Sequence, residues 1–162
     1  MSSRLRILVL VHSDLVPPET LAGVAKNETP DWKTEYDVVT TLREMGHEVM
    51  PLGLSDDLSV LRRAIEEFRP QIAFNLLEEF HGNFLYDHYV VSYLALKRIP
   101  YTGCNPRGLM LAHDKALSKK ILLYHRVRVP RFAVYPMGRK VRRPGKLQFP
   151  LLVKSLVAEG SV

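Results

Sequence analysis

A single cysteine, Cys104, stands among 162 residues. No internal disulfide framework is open to the chain, and a reducing, cytoplasmic setting is the expected one. No apolar run approaches the roughly 20 residues that a membrane-spanning helix needs. The Ile7–Val11 run behind Arg4 and Arg6 is too short, and turns polar too soon, for a signal peptide. No G-x-G-x-x-G follows that run, which argues against dinucleotide binding. No His/Cys spacing suggests zinc. Acidic residues are missing from a whole region. Residues 115–154 hold 12 Lys/Arg and no Asp or Glu, whereas residues 1–114 hold 11 Lys/Arg and 16 Asp/Glu. The net charge of +6 therefore hides an acidic part followed by a basic one. The basic part calls for an anionic partner (nucleotide phosphates, nucleic acid or an acidic protein surface), unless it is a plain solvated face.

What is there reads as α/β. Apolar residues make up 46% of the chain, enough to bury a core. Arg6–Val11 is a continuous aliphatic run, as in a strand buried on both faces of a parallel sheet. His12–Pro30 lacks periodicity and reads as a long loop. Asp31 is placed to cap a helix with apolar positions Trp32, Tyr36, Val39, Leu42 and Met45, closed by Gly46. His47–Leu52 reads as a second strand, its Pro51 arguing for an edge or an end. Ser55-Asp56-Asp57 caps a helix carrying Leu58, Leu61, Ala64, Ile65 and Phe68, stopped at Arg69-Pro70. Gln71–Leu76 is a third strand, residues 86–97 a helix, and Tyr101-Thr102 a short fourth strand. This alternation predicts a Rossmann-like, doubly wound parallel sheet, with ligands beyond the carboxyl ends of its strands.

The stretch Ile99–Lys115 joins the two charge regimes and reads as a hinge. After a helix over Lys115–His125 come two β segments, Val127–Tyr135 and Phe149–Lys154, around a basic turn at Pro136–Lys146. The expected division is an α/β domain over residues 1–125 and the start of a second domain over 126–162. Two β segments without further core cannot make a stable domain alone.

Several residues could carry chemistry, and each has a plainer explanation. Lys154 ends an apolar strand that leads into Gly160 and Ser161, where a lysine and backbone N–H groups can hold phosphate oxygens; a surface lysine is the plainer explanation. Lys115 follows Asp114 at a helix start and could aim at the same phosphates, or be solvated. Glu35 lies in the first turn of a helix, where a carboxylate complements the dipole but could also hold a substrate ammonium at the sheet's carboxyl edge. His81, with Gly82 beside it, sits at another such edge, and His12 at a third. Cys104 reads as inert.

Pro100-Tyr101-Thr102-Gly103, Asp114-Lys115 with Lys119, Val129-Pro130, and Phe149–Lys154 with Gly160-Ser161 form a spaced series. Together with Glu35 and His81-Gly82 upstream, it resembles the N-terminal half of an ATP-grasp ligase of the D-alanine–D-alanine ligase type. The resemblance implies a pre-ATP-grasp α/β domain followed by the first β segments of an ATP-grasp lobe. It implies ATP as cofactor and amide or peptide bond formation through an acyl phosphate, with release of ADP and phosphate. Lys115 and Lys154 would bind ATP phosphates, with Gly160 and Ser161 opening the phosphate loop. Glu35 would hold the substrate amino group, and His81 with Gly82 would line its pocket. The expected substrate is an amino acid or peptide-like molecule. Magnesium would be held by residues outside this chain, and 1–162 alone is expected neither to ligate nor to hydrolyse ATP. The long His12–Pro30 loop replaces the family's glycine-rich turn, and Asn83–His88 departs from its glycine- and acid-rich segment. A homodimer through the α/β domain is a candidate assembly; membrane and nucleic acid are not expected partners. The alternative is a free-standing α/β module whose basic tail binds nucleic acid or a partner protein.

Overall fold

The computed structural model describes residues 4–21, 29–135, 137–142 and 145–157. By their internal contacts they fall into two units, Met1–Pro106 and Arg107–Val162. The division lies inside the Ile99–Lys115 stretch.

The first unit is built on β1 (Arg6–His12), flanked in parallel by β2 (Glu48–Leu54) and β3 (Ile72–Asn75), in the order β2-β1-β3. Every residue from Ile7 to Val11 is buried, as a central strand covered on both faces requires. Alternate residues divide between two cores. Leu8 and Leu10 join Leu54, Leu61, Ala73, Val90 and Leu94 on one face; Ile7, Val9 and Val11 join Val39 on the other. Pro51 pairs opposite Val9 within β2, which is a sheet edge, the position where a missing N–H is tolerated.

Helix α1 (Lys33–Glu44) packs Val39 on the second face. Asp31 does not cap it. Trp32 holds the cap position without a side-chain hydrogen bond, and the turn is closed by backbone bonds from Lys33 N–H to Pro30 O and from Tyr36 N–H to Trp32 O. Gly46, at φ 87°, ends α1 as expected, its N–H donating to Arg43 O. Helix α2 (Leu58–Phe68) is capped by Asp57, which accepts from Ser59 N–H and Oγ, and stops where Arg69 turns left-handed before Pro70. Helix α3 (Asp87–Leu96) buries Val90, Val91 and Leu94.

The expected fourth strand is reduced to a single parallel bridge, Ala73 to Tyr101. Pro100 offers only its carbonyl, which accepts from Ala73 N–H at 2.8 Å, and the chain turns away at Gly103, φ 92°. Beyond the bridge the Thr102 hydroxyl, not a backbone carbonyl, accepts Asn75 N–H at 3.0 Å. A side chain has taken over the ladder.

The second unit contains α4 (Pro106–His113, its first residue in the unit before) and α5 (Lys115–Tyr124). The expected β segments Val127–Tyr135 and Phe149–Lys154 form no strand among the described residues. The physical reason is the absence of ladder partners: backbone N–H and C=O groups of an extended segment become a strand only beside another. Leu152 and Val153 are 81% and 93% exposed, so no sheet face covers them either.

Candidate functional site

Strand direction decides where a site can form. All three strands are parallel, so His12, Leu54 and Asn75 end on one edge, and the first turn of the helix that follows β1 lies at that edge. Glu35 occupies that turn. It is only 7% exposed, and its Oε2 is buried with no hydrogen-bond partner among the described residues. A carboxylate oxygen so placed asks for a donor from outside the chain.

His12 closes β1. Its Nδ1 accepts Asp14 N–H at 3.3 Å, and its Nε2 lies 3.4 Å from Glu79 Oε1. This contact joins the ends of β1 and the loop after β3. His81 and Gly82 are the centre of a two-residue turn. Phe80 and Asn83 exchange both backbone hydrogen bonds, and φ is 57° at His81 and 67° at Gly82, the sign that a type I′ turn needs at both positions. His81 N–H donates to Ser55 O, tying this turn to the end of β2. The side chain of His81 is exposed. Gly53, near the end of β2, leaves room for the loop after β1. A Cβ there would lie 2.7 Å from Val16 Cγ2 and 3.0 Å from Ser13 Cα.

In the second unit, Asp114 accepts from Ala116 N–H at 3.0 Å and Leu117 N–H at 2.8 Å, so the Asp of the Asp114-Lys115 pair is the cap of α5. Lys115 N–H donates to Leu156 O at 3.2 Å. That bond brings the start of α5 to Leu156, two residues past Lys154. Lys154 itself is exposed. Lys119 is engaged elsewhere, its Nζ 5.1 Å from the centre of the Phe132 ring. Gly160 and Ser161 lie outside the described residues.

Glu35 and His12 thus lie at the carboxyl edge of the sheet, the His81-Gly82 turn is tied to Ser55 after β2, and Lys115 opens α5 while Lys154 lies exposed two residues before Leu156. Among the described residues no three His, Cys, Asp or Glu come together as a metal site, and no helix is long and apolar enough to cross a membrane. Cys104 is exposed and free. Sequence reasoning missed Glu79. Its only signal was a second acidic residue where the loop leaves β3, and nothing local pairs it with His12, 67 positions away.

No protein-family model matches the chain. Individual relatives do. The D-alanine–D-alanine ligase of Syntrophotalea carbinolica is 34% identical over 142 residues, 87% of this chain and 44% of that protein. That of Pelagibacter ubique is 30% identical over 144 residues, 86% of this chain and 45% of the relative. Among solved structures, the D-alanine–D-alanine ligase of Bacillus anthracis complexed with ATP superposes with a TM-score of 0.56 at 25% identity, covering 80% of this chain and 38% of the ligase. The chain spans less than half the length of these curated relatives. Over most of its own length it matches the N-terminal part of ATP-grasp ligases of the D-alanine–D-alanine type.

Proposed function

We propose that this chain is the N-terminal portion of an ATP-dependent carboxylate–amine ligase, and that its sheet edge holds the amino group of an amino acid or peptide-like substrate. The observation that carries the proposal is the buried Oε2 of Glu35, which has no hydrogen-bond partner among the described residues. An ammonium donates up to three hydrogen bonds and brings the charge that a buried carboxylate lacks, so substrate binding would remove the cost of leaving that oxygen dry. His81 and Gly82 line the same edge in a turn whose backbone tie to Ser55 fixes its position.

Lys115 and Lys154 are the proposed phosphate ligands for ATP. The hydrogen bond from Lys115 to Leu156 supports the pairing, because it holds the two lysines on neighbouring backbone. When bound, ATP supplies the phosphoryl group that activates the carboxylate as an acyl phosphate. The residues of this chain then bind and orient, and two cations suit a transition state that spreads charge over phosphoryl oxygens. Gly160 and Ser161 would add backbone donors. Magnesium is assigned to residues outside this chain, and the 162 residues alone are expected to release no ADP in the presence of amino acid.

The reading is tested by calorimetric titration of the chain with alanine of either hand. Measurable binding is expected, with Glu35→Gln weakening it about tenfold or more, as loss of a charged hydrogen bond requires. Binding that is indifferent to Glu35→Gln would overturn the assignment.

A further inference from the structure

We propose that the second unit is a docking surface, and that its occupant is the polypeptide forming the C-terminal part of the ligases this chain matches. This rests on the reading of the chain as the N-terminal portion of such a ligase and goes beyond it, to a face, a partner and a mode of contact. Sixteen of the 23 exposed large apolar side chains among the described residues lie in the second unit. Its only buried apolar residue among them is Ala116, and neither hydrophobic cluster draws a residue from it. Apolar side chains scattered singly over a surface are ordinary, but contiguous ones mark a contact. Here they come in runs. Leu122, Leu123 and Tyr124 close α5 exposed, and Leu151, Leu152 and Val153 are exposed beyond the basic turn. The backbone makes a second demand. From Leu151 to Lys154 no N–H or C=O group has a hydrogen-bond partner among the described residues. An apolar segment with open backbone groups is suited to pairing with a strand brought by another segment, main chain to main chain.

Two observations select the occupant. The first is length. The relatives that match 87% and 86% of this chain leave more than half of their own length unmatched, and what they match is their N-terminal part. The second is charge. Residues 115–154 carry 12 Lys/Arg and no Asp or Glu, so a second copy of this chain would set like charge against like. The occupant must instead bring acidic residues at its rim, an apolar centre, and a strand for residues 151–154. A separate polypeptide corresponding to the remaining length of the ligase would then dock on the second unit and bury its two apolar runs.

The experiment is co-expression of the 162-residue chain with a tagged segment of the Syntrophotalea carbinolica D-alanine–D-alanine ligase, the part that follows the matched 142 residues. A soluble one-to-one complex is expected by size exclusion with light scattering, and amide exchange at residues 151–154 should slow about tenfold or more within it. The double variant Leu152→Glu, Val153→Glu is expected to abolish co-purification while leaving the melting of the isolated chain unchanged, because both side chains are exposed there. Leu96→Glu, equally exposed but in the first unit, is expected to keep the complex. Failure of the unaltered chain to hold the segment overturns the inference, as does a chain that pairs with itself in preference to it. A complex that survives the double variant, or that Leu96→Glu destroys as completely, overturns the assignment to residues 151–154. The alanine titration reads the first unit separately, so alanine binding without docking strikes this inference alone, and docking without alanine binding strikes only the role of Glu35.

Discussion

Leu10 and Leu152 are the same side chain at opposite extremes of this molecule. Leu10 is fully buried at the centre of β1; Leu152 is 81% exposed in the second unit. Both lie in aliphatic runs that read as strands. The difference is what stands beside them. β1 has a parallel neighbour on each side and helices over both faces, whereas Phe149–Lys154 has neither among the described residues. An extended apolar segment acquires stability from its neighbours and has little of its own. The sharpest way to break this comparison is to truncate both leucines. Leu10→Ala is expected to cost about 3 kcal/mol, transfer and cavity together, a large share of a stability of roughly 5–15 kcal/mol. Leu152→Ala is expected to stay within about 0.5 kcal/mol. Urea unfolding followed through Trp32, the single tryptophan, measures the first, and unfolding followed by far-ultraviolet circular dichroism, to which α4 and α5 contribute, measures the second. Equal losses would mean that Leu152 is buried in solution and that the contrast fails.

The same contrast governs how much could be read in advance. The order of strands and helices up to Leu96 was legible, because periodicities of 2 and 3.6 report which faces are buried within one element. The fourth strand was not, because its fate turned on Pro100 having no N–H to give and on the Thr102 hydroxyl reaching Asn75. The cap of α1 failed similarly: Asp31 is a good cap by type, but backbone bonds to Pro30 and Trp32 had already closed the turn. At the site, Glu35 was legible from its place in a first turn. Its burial and missing partner were not, nor was the His12–Glu79 contact, since both depend on how loops from different strands meet.

Gly53 sharpens the comparison on the site side. A Cβ at this position would press on Val16 and on the backbone of Ser13, the residue that follows His12. The Val16 methyl can move aside, but a backbone Cα at 3.0 Å has less freedom. Gly53→Ala is therefore expected to destabilise the first unit by about 1–3 kcal/mol, the cost of overpacking. Displacing Ser13 also shifts the loop after β1 at the carboxyl edge, so the alanine titration should weaken as well. Unchanged melting together with unchanged titrations would show that the loop yields freely.

In the second unit the cap residue Asp114 is the one to remove. It accepts two N–H groups at the start of α5. Asp114→Ala is expected to cost that helix about 1 kcal/mol. Amide exchange at residues 116–118 should quicken while the amides of Ile7–Val11 keep their protection. A matching loss of protection in β1 would show that the two units unfold as one and would remove the distinction between them.

The smallest expected effect belongs to Asp57, the corresponding cap in the first unit. The Ser59 hydroxyl, then the Ser59 backbone N–H, hold its carboxyl below the ordinary value of 3.8, with Arg63 and Arg62 adding to the effect. A carboxyl lowered in the folded state contributes stability above its unfolded pKa, and that contribution is lost as pH falls through the folded one. The window is therefore acidic, from about pH 4 downward. Asp57→Asn keeps an oxygen to accept Ser59 N–H but removes the titration. Below about pH 4 the melting temperature of the unaltered chain should fall faster than that of the variant, and above about pH 5 the two curves should run parallel. Identical slopes throughout would mean that the Ser59 bonds do not distinguish the charged carboxyl from the neutral one. The cap would then stabilise α2 by geometry alone, as the uncharged backbone closure of α1 already does.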